Sequence, residues 1–365
     1  MMHTTIFPGR YVQGAHAFKR LGREMARFGR KAFLVCDPYV LDHLLPEYQG
    51  DIETDIALVV ERFGGECSDE EIGRISEIAG GMGCDIVAGM GGGKTVDTAK
   101  AVATGLRLPV AVAPTIASTD APCSAESVVY TQDGVVKRFI FHVRNPDIVL
   151  MDTFVIAQAP SRFLVAGMGD ALATWFEAEA CRVKHAPNVT RDLGAMTAYA
   201  LARLCYDTLL EHGVNAKLSC EAHVVTPALE HVVEANTLLS GIGFESGGLA
   251  AAHALHNGLT VLPCTHEYFH GEKVAFGVLA SLFLTDKSSQ VIDEVYEFCE
   301  RVGLPTTFEA IGLGTVSEID LLKVAEKTAV KGESIHHEPV PITVESVLAA
   351  MKLADAHGRY RLEWL

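Results

Sequence analysis

Read for the spacing of apolar and polar positions, the chain has two textures. Over the first 160 residues, short β-branched runs alternate with amphipathic stretches. KAFLVCD (31–37), CDIVAG (84–89) and LPVAVAPT (108–115) are near-continuous apolar runs of strand length, and IALVVERFGGE (56–66) contains another. Such runs suit strands buried on both faces. Between them, SDEEIGRISEIAGGMG (68–83) predicts a helix: Ser68 caps it, Glu71 completes a capping box, and Ile72, Ile75, Ile78 and Ala79 share a face. KTVDTAKAVATG (94–105) predicts a second helix. Strands alternating with helices imply a parallel sheet with right-handed crossovers. After QAPS (158–161), long Ala/Leu-rich helical patterns take over, at 170–184, 189–211, 227–240, 248–262, 272–285, 290–302, 318–330 and 343–357, and no strand pattern is found. At 365 residues the chain exceeds one ordinary core. The expectation is a Rossmann-like α/β domain over 1–160 and an all-α domain over 161–365. A cleft between domains is the usual place for a small-molecule site.

Composition narrows the function. Hydrophobic residues make up 49%, enough for a large core, and 46 acidic against 30 basic residues give a formal charge of −16. A chain that repels phosphate this strongly is a poor partner for nucleic acid or an anionic membrane. The charges are spread, as on a solvated surface. Nine cysteines lie at least 15 residues apart with no CxxC, which excludes a cysteine-pair zinc ribbon and argues against a disulfide framework. MMHTTIFPGRY lacks the apolar core of a signal peptide, and no uncharged apolar run reaches the ~20 residues of a membrane helix. A soluble, cytoplasmic protein is expected.

Three stretches carry candidate chemistry. DIVAGMGGGKTVDTAK (85–100) reads as strand, glycine turn and helix, with glycines at 89, 91, 92 and 93 and then Lys94. Such a turn lets backbone approach a ligand, and the helix behind it aims N–H groups at phosphate. It matches neither a P-loop, which needs glycine where Ala88 stands, nor the dinucleotide fingerprint, which needs glycine where Lys94 stands. A tight packing turn remains the plain alternative. VCDP (35–38) puts Asp37 at a strand end, where an acid commonly holds an adenosine ribose, although Asp-Pro also simply starts a turn. TIASTDAPCSAESVVY (115–130) is rich in small hydroxyls and reads as a polar loop, with Asp120 its one carboxylate before Glu126.

The third stretch, AAHALHNGLTVLPCTHEYFHGEKV (251–274), gathers His253, His256, His266 and His270. His253 and His256 lie at i and i+3 of a helix, and His270 stands at the entrance of the next. A hairpin bent near Pro263 brings His253 and His270 together. Asp170, placed at the head of a helix in AGMGDALATWFEAEA, is the best candidate for a third ligand. Two histidines, a carboxylate and open positions describe a catalytic metal site. A lone histidine on a helix face is more often a packed residue.

Together these motifs resemble the iron-containing (type III) alcohol dehydrogenases, in particular their glycerol-oxidising branch. The likeness runs nearly end to end, through FPGRYVQG, FGGECS, GMGGGKTVDTAK, PTIASTDAPCSA, GMGDALATWFEA, ESGGLAAAHALHNG, THEYFHGEKVAFG and ADAHGRY. The fold it implies is dehydroquinate-synthase-like. It implies zinc on Asp170, His253 and His270, which also meet the substrate, and NAD held by Asp37, Gly93, Lys94, Thr115, Ser118, Ser124, Glu126 and Tyr130. By the same resemblance Asp120 contacts glycerol, and His256 and His266 stand behind the ligands or line the pocket; bound water or His256 is the candidate proton relay. The implied reaction is oxidation of glycerol to dihydroxyacetone by a homo-oligomer, an octamer among the assemblies. Iron-using relatives carry a histidine four residues after the aspartate, where this chain has Thr174; the position of Glu126 is usually apolar. The competing reading is a metal-dependent lyase of the dehydroquinate-synthase type, and other small diols or hydroxy acids compete with glycerol.

Overall fold

Six of the predicted and unpredicted strands join in one parallel sheet in the computed structural model, which describes residues 2–132 and 134–363. The strands are β1 (Tyr11–Gly14), β2 (Lys31–Cys36), β3 (Ala57–Arg62), β4 (Ile86–Gly91), β5 (Val110–Pro114), β6 (Glu126–Tyr130), β7 (Val136–Phe141) and β8 (Ile148–Asp152). The sheet order is β1-β8-β5-β4-β2-β3, and β6 and β7 form a separate antiparallel hairpin. Helices α1 (Leu21–Met25), α2 (Leu45–Glu53), α3 (Asp69–Met82), α4 (Gly93–Leu106) and α5 (Thr153–Gln158) alternate with these strands. Beyond them lie α6 (Ser161–Lys184), α7 (Met196–Glu221), α8 (Pro227–Glu234), α9 (Ser240–Gly247), α10 (Ala251–Leu259), α11 (His270–Leu284), α12 (Ser289–Val302), α13 (Glu318–Thr328) and α14 (Val344–Leu362). This is the α/β-plus-all-α architecture expected from the patterning.

The chain divides into two compact units. The sheet unit comprises Ile6–Pro160 and Ser219–Leu238; the helical unit comprises Met1–Thr5, Ser161–Leu218 and Leu239–Leu365. In the sheet unit, Leu34, Ile86, Ala88, Ala111, Ile148 and Leu150 pack with Phe18, Leu21 and Met25, all excluded from solvent. These strands are buried on both faces, which explains why β2 and β4 read as continuous apolar runs; β8, equally buried, was not among the predicted strands. After β3 the chain crosses back over β2 to β4. The C-terminal ends of β2 and β4 therefore flank a topological switch point, the usual ligand crevice of such sheets.

Several local expectations change. Ser68 caps α3 by accepting the Glu71 amide, but the box does not close: the Glu71 carboxylate accepts from Gly64 N at 2.7 Å, and Ser68 N donates to Glu66 O. Asp170 lies in the middle of α6, which begins at Ser161. Its two glycines are not a helix start; Gly169 marks a close helix crossing. The stretch predicted as one helix at 248–262 is ordered as α10 only from Ala251, because Gly248 sits at φ +109°. A strand replaces the end of the predicted 115–130 loop: β6 alternates buried and half-buried positions.

Candidate active site

In the helical unit, glycines set the geometry. A Cβ on Gly169 of α6 would meet the Gly271 carbonyl at 2.3 Å, and one on Gly271 would meet the Ala166 carbonyl at 1.8 Å. Helices α6 and α11 therefore touch backbone to backbone where Asp170 and His270 follow and precede these glycines. Likewise a Cβ on Gly277 would meet the Ala252 carbonyl at 2.5 Å, which draws α10 and His253 against α11. Arg162 of α6 adds a two-pronged pair to Glu272 of α11, at 2.7 and 2.9 Å. The result brings Asp170, His253 and His270 together: their ligand atoms lie within 4.8 Å of one another. Asp170 Oδ1 faces His270 Nε2 at 3.1 Å and His253 Nε2 at 3.4 Å.

Both imidazoles are held from behind. His253 Nδ1 donates to Glu177 Oε2 at 2.6 Å, and Glu177 Oε1 accepts the amides of Ala250 and His253 at 2.9 and 3.0 Å. Glu177 is buried, two turns after Asp170 on α6. Ala250 has no polar side chain to cap α10, so Glu177 supplies the cap from another helix. Glu338 adds a second carboxylate there, accepting Ala251 N at 3.1 Å. Burial, partly offset by that amide, pushes its carboxyl up to about 7. His270 Nδ1 meets His256 Nε2 at 3.0 Å. His266 stands apart, exposed, with its ring on the Thr260 carbonyl. Thr174 is buried and pairs with the Ser240 hydroxyl at 2.8 Å, so it turns to packing.

The electrostatics fit a cation. Burial opposes ionisation of Asp170, but His270 and His253 hold its carboxyl far below the usual range. Burial works against charge on His253 too, yet Glu177 and Asp170 raise it well above an ordinary histidine. Two buried carboxylates around these rings demand positive charge between them, supplied by protons or by a metal. One carboxylate oxygen and two imidazole Nε2 atoms, each ring fixed through Nδ1, make a donor set for a borderline divalent metal.

In the sheet unit, β4 ends at Gly91 and α4 begins at Gly93, with Gly92 as N-cap and no side-chain cap. The glycines do different jobs. A Cβ on Gly89 would strike the Ala99 Cβ at 2.6 Å, so Gly89 lets α4 pack on β4; Gly91 has φ +155° and would strike Asp37; Gly93 faces open space. Lys94 pairs with Glu66 at 2.5 Å and lies 4.9 Å from the centre of the Tyr130 ring. Asp37 stands at the end of β2, its Oδ1 accepting the Tyr39 and Val40 amides at 2.9 and 3.4 Å. Thr115 N donates to Gly91 O at 3.1 Å, which sets the loop after β5 against the turn. That loop carries Ser118, buried Asp120, and Ser124, whose hydroxyl donates to Ala121 O at 3.0 Å; Glu126 opens β6.

Sequence reading missed the group beneath this loop. Lys100 is 2% exposed, pairs with Asp97 at 2.9 Å, and donates to the carbonyls of Ala121, Ser124 and Glu126. An Asp and a Lys at i and i+3 inside an otherwise apolar helix face were the available signal. It also missed Glu177, whose signal was its seven-residue spacing from Asp170 on one face.

The residues thus gather in two places of distinct chemistry: a glycine turn at a switch point, and an Asp–His–His cluster whose ligand atoms could hold a metal ion. Residues 8–153 match the family model described as iron-containing alcohol dehydrogenase. The chain is 64% identical over 361 residues to a glycerol dehydrogenase of Thermotoga maritima, covering 99% of each chain. It is 44% identical to a glycolaldehyde reductase of Halobacterium salinarum, covering 98% of both. The crystal structure of a glycerol dehydrogenase from Schizosaccharomyces pombe superposes with a TM-score of 0.95 at 36% identity, over 100% of this chain and 93% of that one. The chain belongs to the iron-containing alcohol dehydrogenase family. Among the described residues no helix is long and apolar enough to cross a membrane.

Proposed function

We propose that the chain oxidises glycerol to dihydroxyacetone, reversibly, with NAD as hydride acceptor and zinc held by Asp170, His253 and His270. The observation that carries this reading is the donor set gathered within 4.8 Å, in a chain 64% identical to a glycerol dehydrogenase. Three protein ligands, with Thr174 occupied by packing, suit zinc with an open position. When bound, zinc supplies Lewis acidity that lowers the pKa of a diol hydroxyl, and NAD accepts the hydride.

The chain's own residues supply the rest. Asp170 is ionised and fixed by helix crossing, while Glu177 keeps the Nε2 lone pair of His253 turned inward. The N–H groups at the start of α4 meet the pyrophosphate, and open space at Gly93 permits that approach. Lys94 exchanges Glu66 for phosphate, and Asp37 holds the adenosine ribose. Thr115, Ser118, Ser124, Glu126 and Tyr130 line the cofactor. Asp120 orients the glycerol. His256 keeps His270 in place, its Nε2 already engaged there. A homo-oligomer in the cytoplasm completes the proposal, on family resemblance.

The test is NADH formation from NAD and glycerol with protein stripped by chelator and given zinc back. Loss on stripping and restoration by zinc support the reading. Faster reduction of glycolaldehyde, or activity confined to hydroxy acids, reassigns the substrate. No redox turnover with any of them overturns it.

A further inference from the structure

We propose that Glu333 anchors the His270 arm of the metal centre from a distance, through a directed chain of hydrogen bonds, and so sets the affinity of the site for its metal. This rests on the metal centre proposed above. His270 turns Nε2 to Asp170, so as a neutral ligand it carries its proton on Nδ1. That proton points at His256 Nε2, 3.0 Å away, which must accept. His256 then carries its own proton on Nδ1 and donates to Asn257 Oδ1 at 3.2 Å. With Oδ1 accepting, the Asn257 amide nitrogen donates to Glu333 Oε2 at 3.1 Å. Lys327 holds the other oxygen, Oε1, at 3.0 Å.

Every link has one orientation that fits, and the links agree. The chain runs donor to acceptor from a metal ligand to a carboxylate. A negative group at its end polarises each bond in turn and raises the electron density on His270 Nε2. The other arm reaches the same end in one step, because Glu177 contacts His253 directly. The segment that carries Glu333 has a further tie beside the site, because the neighbouring Ser334 hydroxyl donates to Ala250 O at 2.7 Å. Sequence gives no hint of this arm, since Glu333 lies 63 positions beyond His270.

The experiment measures zinc affinity of the full chain by competition with a chromophoric chelator at fixed pH. Wild type and His253→Ala come first; no tight zinc in wild type, or equal zinc in both, sinks the metal-site reading itself. With that reading intact, Asn257→Ala and Glu333→Ala are each expected to weaken zinc about tenfold. The double variant is expected to weaken it no further, because both act through one chain. The unfolding midpoints of the zinc-free forms should stay at the wild-type value. Wild-type zinc affinity in both single variants, or losses that multiply in the double, overturns the proposal. Glu333→Gln keeps the shape and an acceptor but not the charge. A several-fold loss is expected, and wild-type affinity in it overturns the role given to the carboxylate.

Discussion

The glycine turn of the sheet unit and the metal centre of the helical unit are built in opposite ways. At the turn, the strand end, the positive φ of Gly91, the open side of Gly93 and the helix start fall within six consecutive residues. Local backbone rules suffice to make it. At the metal centre, Asp170 and His253 stand 83 positions apart and sit on different helices. They meet only because α6, α10 and α11 approach to backbone contact at Gly169, Gly271 and Gly277. A site made locally tolerates changes in distant packing. A site made by helix crossing depends on every interface that fixes the crossing.

The comparison predicts where function breaks. The largest effect is expected from Asp170→Asn or His253→Ala: zinc and turnover are lost, while NADH fluorescence titration still reports a dinucleotide site. Loss of NADH binding in these variants counts against the separation. Next, Gly271→Ala inserts a methyl 1.8 Å from the Ala166 carbonyl. It should cost about 3 kcal/mol in denaturant unfolding and lower zinc affinity with it. A stable variant with full zinc would show that the crossing does not set the ligand spacing. Lys94→Met should then weaken NAD about tenfold, about 1.5 kcal/mol, with zinc content untouched. An unchanged KM for NAD removes Lys94 from the cradle.

The smallest effect concerns acid. Burial, with Lys100 nearby, depresses the His142 imidazole from 6.5 to about 4. Its ring accepts from or donates to Thr104 at 2.7 Å and Ser127 at 2.8 Å, tying α4 to the hairpin. The native state keeps it neutral, whereas the unfolded chain protonates below pH 6.5. Its contribution is therefore present above 6.5 and lost as pH falls toward 4. Partial solvent exposure reduces this to about 1 kcal/mol. His142→Gln should flatten the acid limb of the stability curve over that window; an unchanged slope assigns the limb to other groups.

Much of the fold was legible because its signals are periodic and local. The central strands β2, β4 and β5 read as apolar runs because both faces are covered. Strands β1, β6, β7 and β8 were not predicted: β1, β6 and β7 are short or half-exposed and carry no such run, whereas β8 is a buried apolar run of only five residues. Asp170 looked like a helix start because two glycines precede it. Nothing in the local sequence says that Gly169 serves a neighbouring helix. Lys100 and Glu177 carried only spacing signals and Glu333 none, since a single acid or lysine in a helix or loop has many ordinary uses.

By itself, the sequence determined the two-texture division, the parallel sheet, the glycine turn with its flanking lysine, and the ligand types. All of these follow from periodicity, backbone torsion and side-chain chemistry, which act over a few residues. Tertiary structure decided how closely two of the four histidines, His253 and His270, approach Asp170, which groups stand behind each ring, and which glycines exist for helix contact. Those outcomes depend on distances between elements far apart in the chain, and such distances are fixed only when the helices pack.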